Sequence, residues 1–121
     1  MKIVFCTDLH GNTSYYDQLA DVARMAEADV VINGGDMLPK DGGLFRQDDF
    51  ITGFLTQHLS TMNDAGIRYL CYLGNDDLAL FDNPFQKMCD QYPLVTNLAQ
   101  CHVEIAGYDF VRARTVIVLC C

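Results

Sequence analysis

The chain has 121 residues, half of them hydrophobic and 20% charged, with a formal net charge of −8. That much apolar material supports one domain with a real core and excludes a disordered tail. The acidic balance speaks against nucleic acid and anionic membranes as partners, because Arg112 with Arg114 is the nearest approach to a basic cluster. In chain order, residues 2–7 are a continuous apolar run, predicted as a strand buried on both faces. The run stops at Asp8, too soon for a secretory leader, and no stretch reaches the ~18 apolar residues of a membrane span. The expected setting is therefore the cytoplasm. There the six cysteines stay reduced, and Cys6, Cys71 and Cys101 serve as small hydrophobes in strand-like runs.

Residues 13–28 follow with apolar positions at helical spacing, and residues 29–33 form a second short apolar run that ends at Gly34-Gly35. Strand, helix and strand in so short a span predict a βαβ unit with parallel strands. Residues 38–46, with Pro39, Gly42 and Gly43, are expected as a loop. Residues 47–65 read as one helix stopped by Gly66, and residues 67–73 as a third buried strand. A weaker helix over 82–92 and a short strand and turn over 92–98 come next. Residues 101–106 and 108–111 predict an antiparallel hairpin around Gly107, and an apolar stretch over 115–119 follows. The fold class is α/β, a mainly parallel sheet flanked by helices and ending in an antiparallel hairpin.

Three polar clusters stand at equivalent places, each just past a predicted parallel strand. They are Asp8-Leu9-His10-Gly11, Gly34-Gly35-Asp36 and Gly74-Asn75-Asp76-Asp77. Ligands in open α/β sheets bind outside the carboxyl ends of the strands, so the three can converge. Asp8 and His10, two apart at a strand end, can face one metal. Asp36 has two oxygens with which to bridge a pair of cations, and Asn75 offers a neutral carbonyl. Such a donor set suits Mn, Fe, Zn or a similar divalent ion, and the adjoining glycines permit tight turns and close approach.

The three blocks, in this order, resemble the signature of the calcineurin-like metallophosphoesterases. Asp-x-His stands as Asp8-Leu9-His10 and Gly-Asp as Gly35-Asp36; Gly-Asn-His-Asp/Glu stands, altered, as Gly74-Asn75-Asp76-Asp77. The likeness spans residues 2–77. It implies an α/β sandwich that hydrolyses phosphate mono- or diesters of small molecules with a metal-activated water. It also implies Asp8 and His10 on the first of two metals, Asp36 on both and Asn75 on the second. Asp76 occupies the family's histidine position and is the candidate catalytic residue. A carboxylate there repels the substrate unless it is protonated, with Asp77 and burial raising its pKa, and both outcomes stay open.

Past residue 77 the chain has one histidine, His102, and no counterpart of the family's later His and Gly-His-x-His motifs. The expectation is a single, incomplete domain over 1–121 whose ending at 112–121 reads as a truncation or frameshift. It would hold one metal or none. The alternative function is a degenerate, non-catalytic metal-binding domain, and a partner chain that supplies the missing histidines is a third reading. An unfinished sheet edge favours self-association. Plainer roles compete for single residues: Asp8 and Asp36 as helix caps, Tyr15 and Tyr16 in helix packing rather than a pocket wall, His58 and His102 as ordinary residues. Asn12 is close enough to the first motif to touch phosphate. No phosphate loop, dinucleotide fingerprint or nucleophile elbow occurs, and His10 stands where an aspartate-nucleophile phosphatase wants its second Asp.

Overall fold

The computed structural model describes residues 1–99, 101–113 and 116–120. Arg114, Thr115 and Cys121, in the expected apolar ending, lie outside the described residues. Four strands, β1 (Ile3–Cys6), β2 (Val30–Asn33), β3 (Arg68–Cys71) and β4 (Val95–Asn97), pair in parallel in that order. Helix α1 (Thr13–Met25) joins the first two, and its buried stripe Tyr16, Leu19, Ala20 and Ala23 follows the predicted spacing. Asn12 caps this helix: its Oδ1 accepts the Tyr15 N–H at 3.3 Å, satisfying a donor that the first turn leaves free. Asp8 is not the cap residue of this helix.

The next helical run departs from expectation at its start and in its middle. Helix α2 (Gly43–Phe50), a π turn (Ile51–Leu55) and α3 (Thr56–Asp64) follow one another without a break. The run begins inside the stretch expected as a loop. Its first turn carries no apolar stripe toward the core, since Leu44 and Phe45 are exposed, so the sequence gives no period to read there. The π turn falls where the Thr52 hydroxyl donates to the Asp48 carbonyl at 3.0 Å and where Gly53 weakens helix preference. A hydroxyl that competes for the i−4 carbonyl loosens the ladder. Helix α4 (Asp82–Asp90) follows a short 3₁₀ turn, Ala79–Phe81.

A separate antiparallel sheet contains β5 (Val103–Ile105), β6 (Tyr108–Ala113) and β7 (Val116–Cys120). The expected hairpin is β5–β6. It turns at Ala106 and Gly107, both with positive φ (53° and 83°), as a two-residue turn matched to strand twist requires. The parallel sheet has two covered faces. Val31, Tyr69 and Cys71 pack with the helices around Tyr16, Leu59 and Phe85. Val30, Ile32, Leu70 and Tyr72 form a second cluster with Leu98 and Phe110, against which Val103, Ile105 and Tyr108 pack. The result is a helix layer, a parallel sheet and an antiparallel sheet, an α/β sandwich.

Strand β1 corrects the expectation of burial on both faces. It is the edge of the sheet, and its exposure alternates. Val4 and Cys6 pack against the helix-side core, whereas Ile3 is 38% and Phe5 61% exposed. The register sets Ile3 and Phe5 beside Val30 and Ile32, on the face where the second sheet covers β2 and β3. Pairing on one side only leaves the outer residues of an edge strand open to water, which a hydrophobic run alone does not reveal.

Candidate metal centre

Beyond the ends of β1 and β2 the two chains continue side by side. The Gly34 N–H donates to the Cys6 carbonyl at 2.7 Å, Asp8 to Gly35 at 3.1 Å, His10 to Asp36 at 2.9 Å and Gly11 to Met37 at 2.8 Å. This ladder carries Asp8, His10 and Asp36 to one place, where one ligand atom of each lies within 4.8 Å of the others. All three have left-handed backbone, with φ of 58°, 46° and 51°. Among the described residues only Glu27 and Ala106 share that state without being glycine. Each such residue costs on the order of 1 kcal/mol, and strain of this kind concentrates at functional sites. Two glycines make the close approach possible. A Cβ on Gly74 would strike the backbone nitrogen and carboxylate of Asp36, and one on Gly11 would strike the Pro39 ring.

His10 Nε2 is 3.8 Å from Asp8 Oδ1, too far for a hydrogen bond. The other ring nitrogen, Nδ1, is buried without a hydrogen-bond partner among the described residues, an arrangement that calls for an explanation such as an ion. Two carboxylates and an imidazole are borderline donors suited to a first-row divalent cation. On these grounds the residues present fit the metal that the motif implies.

Asp77 is the residue that sequence reasoning undervalued. Its buried carboxylate joins two loops. Oδ2 accepts the N–H of Met37 at 3.1 Å and of Gly74 at 2.8 Å, and Oδ1 accepts that of Leu38 at 2.8 Å. Burial raises its pKa above the ordinary carboxylate value; the three donors pull it back and the Asp36 charge pushes it up again. From the other side, the Tyr16 hydroxyl donates to the Met37 carbonyl at 2.9 Å. Tyr16 itself is fully buried, with ring centroids 5.6 Å from Phe50 and 5.0 Å from His58. The core of the helix layer thus fixes the loop that carries Asp36.

Asp76 and Asn75 are both exposed. The Asp76 N–H donates to Asp36 Oδ1 at 2.9 Å, which draws the third loop onto the cluster. The Asp76 carboxylate turns to Lys40, with Oδ2 3.3 Å from Nζ. Gln47, 3% exposed, clamps the same region. Its Nε2 donates to the carbonyls of Pro39 at 2.9 Å and Asp76 at 3.4 Å, and its Oε1 accepts the Leu78 N–H at 3.1 Å. Neither Lys40 nor Gln47 has a sequence signal, because both meet the distant loop of Asp76 only in the folded chain.

The two other histidines stay out of the cluster. His58 is buried in the core, with Nε2 3.2 Å from the Tyr69 hydroxyl. Burial and then the Arg24 charge lower its pKa to about 4. His102 is exposed, just ahead of β5. Tyr15 is 51% exposed, while Tyr16 packs in the core.

The family model of the calcineurin-like phosphoesterases matches residues 1–117. With the sandwich and the Asp8–His10–Asp36 cluster already in place, this chain belongs to the calcineurin-like phosphoesterase family. The family is metal-dependent and acts on phosphate esters. No curated protein matches the chain. Among the described residues, no helix is long and apolar enough to cross a membrane.

Proposed function

We propose that the protein is a metal-dependent phosphoesterase that hydrolyses a phosphate mono- or diester with a metal-activated water. The observation that carries this reading is the convergence of Asp8, His10 and Asp36 within 4.8 Å, on a ladder of backbone bonds past the strand ends. Asp8, His10 and Asp36 would hold a divalent cation, and Asn75 would offer its side-chain carbonyl to a second. Bound divalent ions supply charge stabilisation at the phosphoryl oxygens and a water acidic enough to attack at neutral pH. The chain's own contribution is orientation. Asp77 and Tyr16 fix the loop of Asp36, and Gly74 leaves the room in which Asp36 approaches the third loop.

A second reading has its own observation. The cluster contains a single imidazole among the described residues, since His58 and His102 lie elsewhere. A site so built would bind one cation weakly and turn nothing over. Calorimetric titration of the metal-stripped chain with Mn²⁺, paired with an aryl phosphodiester assay, separates the two. Mn²⁺-stimulated hydrolysis that Asp36→Ala abolishes supports the enzyme. One weak site and no turnover in a folded sample would leave only the binding domain.

A further inference from the structure

We propose that Lys40, positioned by Asp76, binds the phosphoryl oxygens of the substrate. The inference rests on the phosphoesterase reading and adds to it a residue outside the metal cluster. A phosphate ester approaching this site meets an acidic chain, of net charge −8, and four carboxylates on adjacent loops: Asp8, Asp36, Asp76 and Asp77. Asp76 is the most awkward of them. It is exposed, and its backbone N–H is bonded to Asp36 Oδ1, so a bare carboxylate would stand beside the cluster and repel the anion.

Lys40 removes that objection. Its ammonium sits 3.3 Å from Asp76 Oδ2, and the two side chains are about equally open, 55% and 47%. The pair is neutral overall. An ammonium has three N–H donors, and beside Asp76 the half-exposed head of Lys40 keeps donors open to a ligand. A half-exposed ion pair contributes little to stability, yet this one is built on a clamp. Gln47 is almost fully buried and spends both ends of its amide on Pro39, Asp76 and Leu78. Pro39 directly precedes Lys40, so a buried side chain fixes the spacing between the lysine's backbone and the loop of Asp76. Gly11 against Pro39 holds the same segment from the first loop. A cation held one hydrogen-bonded residue away from Asp36 suits a phosphoryl group reaching the metal ligands.

The test titrates inorganic phosphate into the Mn²⁺-loaded protein by calorimetry, for wild type, Lys40→Met and Lys40→Arg. Mn²⁺ affinity and melting temperature are measured on each. Lys40→Met should bind phosphate about tenfold more weakly, the size of one charged hydrogen bond at a wet site, with Mn²⁺ affinity unchanged. Lys40→Arg should recover most of that loss, because charge and donors remain. In turnover, Lys40→Met should raise KM more than it lowers kcat. If wild type binds phosphate or hydrolyses ester and Lys40→Met does so equally well, the inference fails and the proposed function stands. If wild type takes up neither phosphate nor ester, both fall together.

Discussion

Removing the Asp77 carboxylate should loosen the Asp8–His10–Asp36 cluster without touching any of the three proposed metal ligands. In Asp77→Ala three backbone donors lose their acceptor: Met37, Leu38 and Gly74, now bonded at 3.1, 2.8 and 2.8 Å. Met37 and Leu38 are both wholly buried, so water cannot readily replace the lost oxygen there, whereas Gly74 is partly open. An orphaned buried donor costs roughly 1–3 kcal/mol, which puts the expected loss at about 3–4 kcal/mol. That is a large part of the roughly 5–15 kcal/mol that holds a domain of this kind together. Urea unfolding should show the midpoint falling with little change in slope. Mn²⁺ affinity should fall at least tenfold (about 1.4 kcal/mol), because the ladder from Asp36 and Met37 to His10 and Gly11 loses its outer support. Asp77→Asn keeps one acceptor oxygen and should lose about half as much stability. A destabilisation in Asp77→Ala below about 1 kcal/mol, together with unchanged Mn²⁺ affinity, would refute the role given to this carboxylate.

Three further expectations follow from the same structure. His58 has a folded pKa of about 4 against 6.5 when free, so between those values the unfolded chain holds more protons. Stability should therefore fall as pH drops from 6.5 to 4, by about 3 kcal/mol in all, and His58→Gln should flatten that slope in urea melts at graded pH. Gly74→Ala should cripple Mn²⁺ binding because its Cβ lands on Asp36, whereas Gly53→Ala, which meets nothing within 4 Å, should be neutral or stabilising by about 0.5–1 kcal/mol; a calorimeter and a thermal melt distinguish them. Burial pushes the Cys6 thiol up to about 12, and the Cys71 thiol is raised first by its contact with Cys89 and then by burial. In the folded chain an alkylating reagent should therefore label exposed Cys101 and spare both; rapid labelling of Cys6 in folded protein would contradict its packing.

The strands and the cluster were legible because each depends on local pattern. Apolar runs closed by polar residues mark the parallel strands, and the order of the motifs marks their shared end. What escaped the sequence depends on which neighbour a residue meets. Asp76 and Asp77 are adjacent and identical in type, yet one is exposed and paired with Lys40 while the other is buried across three donors. No periodicity separates them. Strand β1 looked like β2 in hydrophobicity and differs only in its place at the sheet edge. Gln47 opens the expected helix, and its partners at Pro39, Asp76 and Leu78 exist only once the loops have met.

The left-handed backbone at Asp8, His10 and Asp36 sets stability and chemistry in opposition at the same three positions. Glycine at any of them would relieve the local strain and delete a donor atom. A selection for heat resistance alone would therefore be drawn toward variants that melt later and lack part of the proposed cation site. The reverse holds for transplantation. Placing an aspartate and a histidine two apart on some other strand end would reproduce the letters of the motif without its aim. A useful graft has to carry the Gly34–Met37 ladder partner and the Asp77 staple along with the ligands.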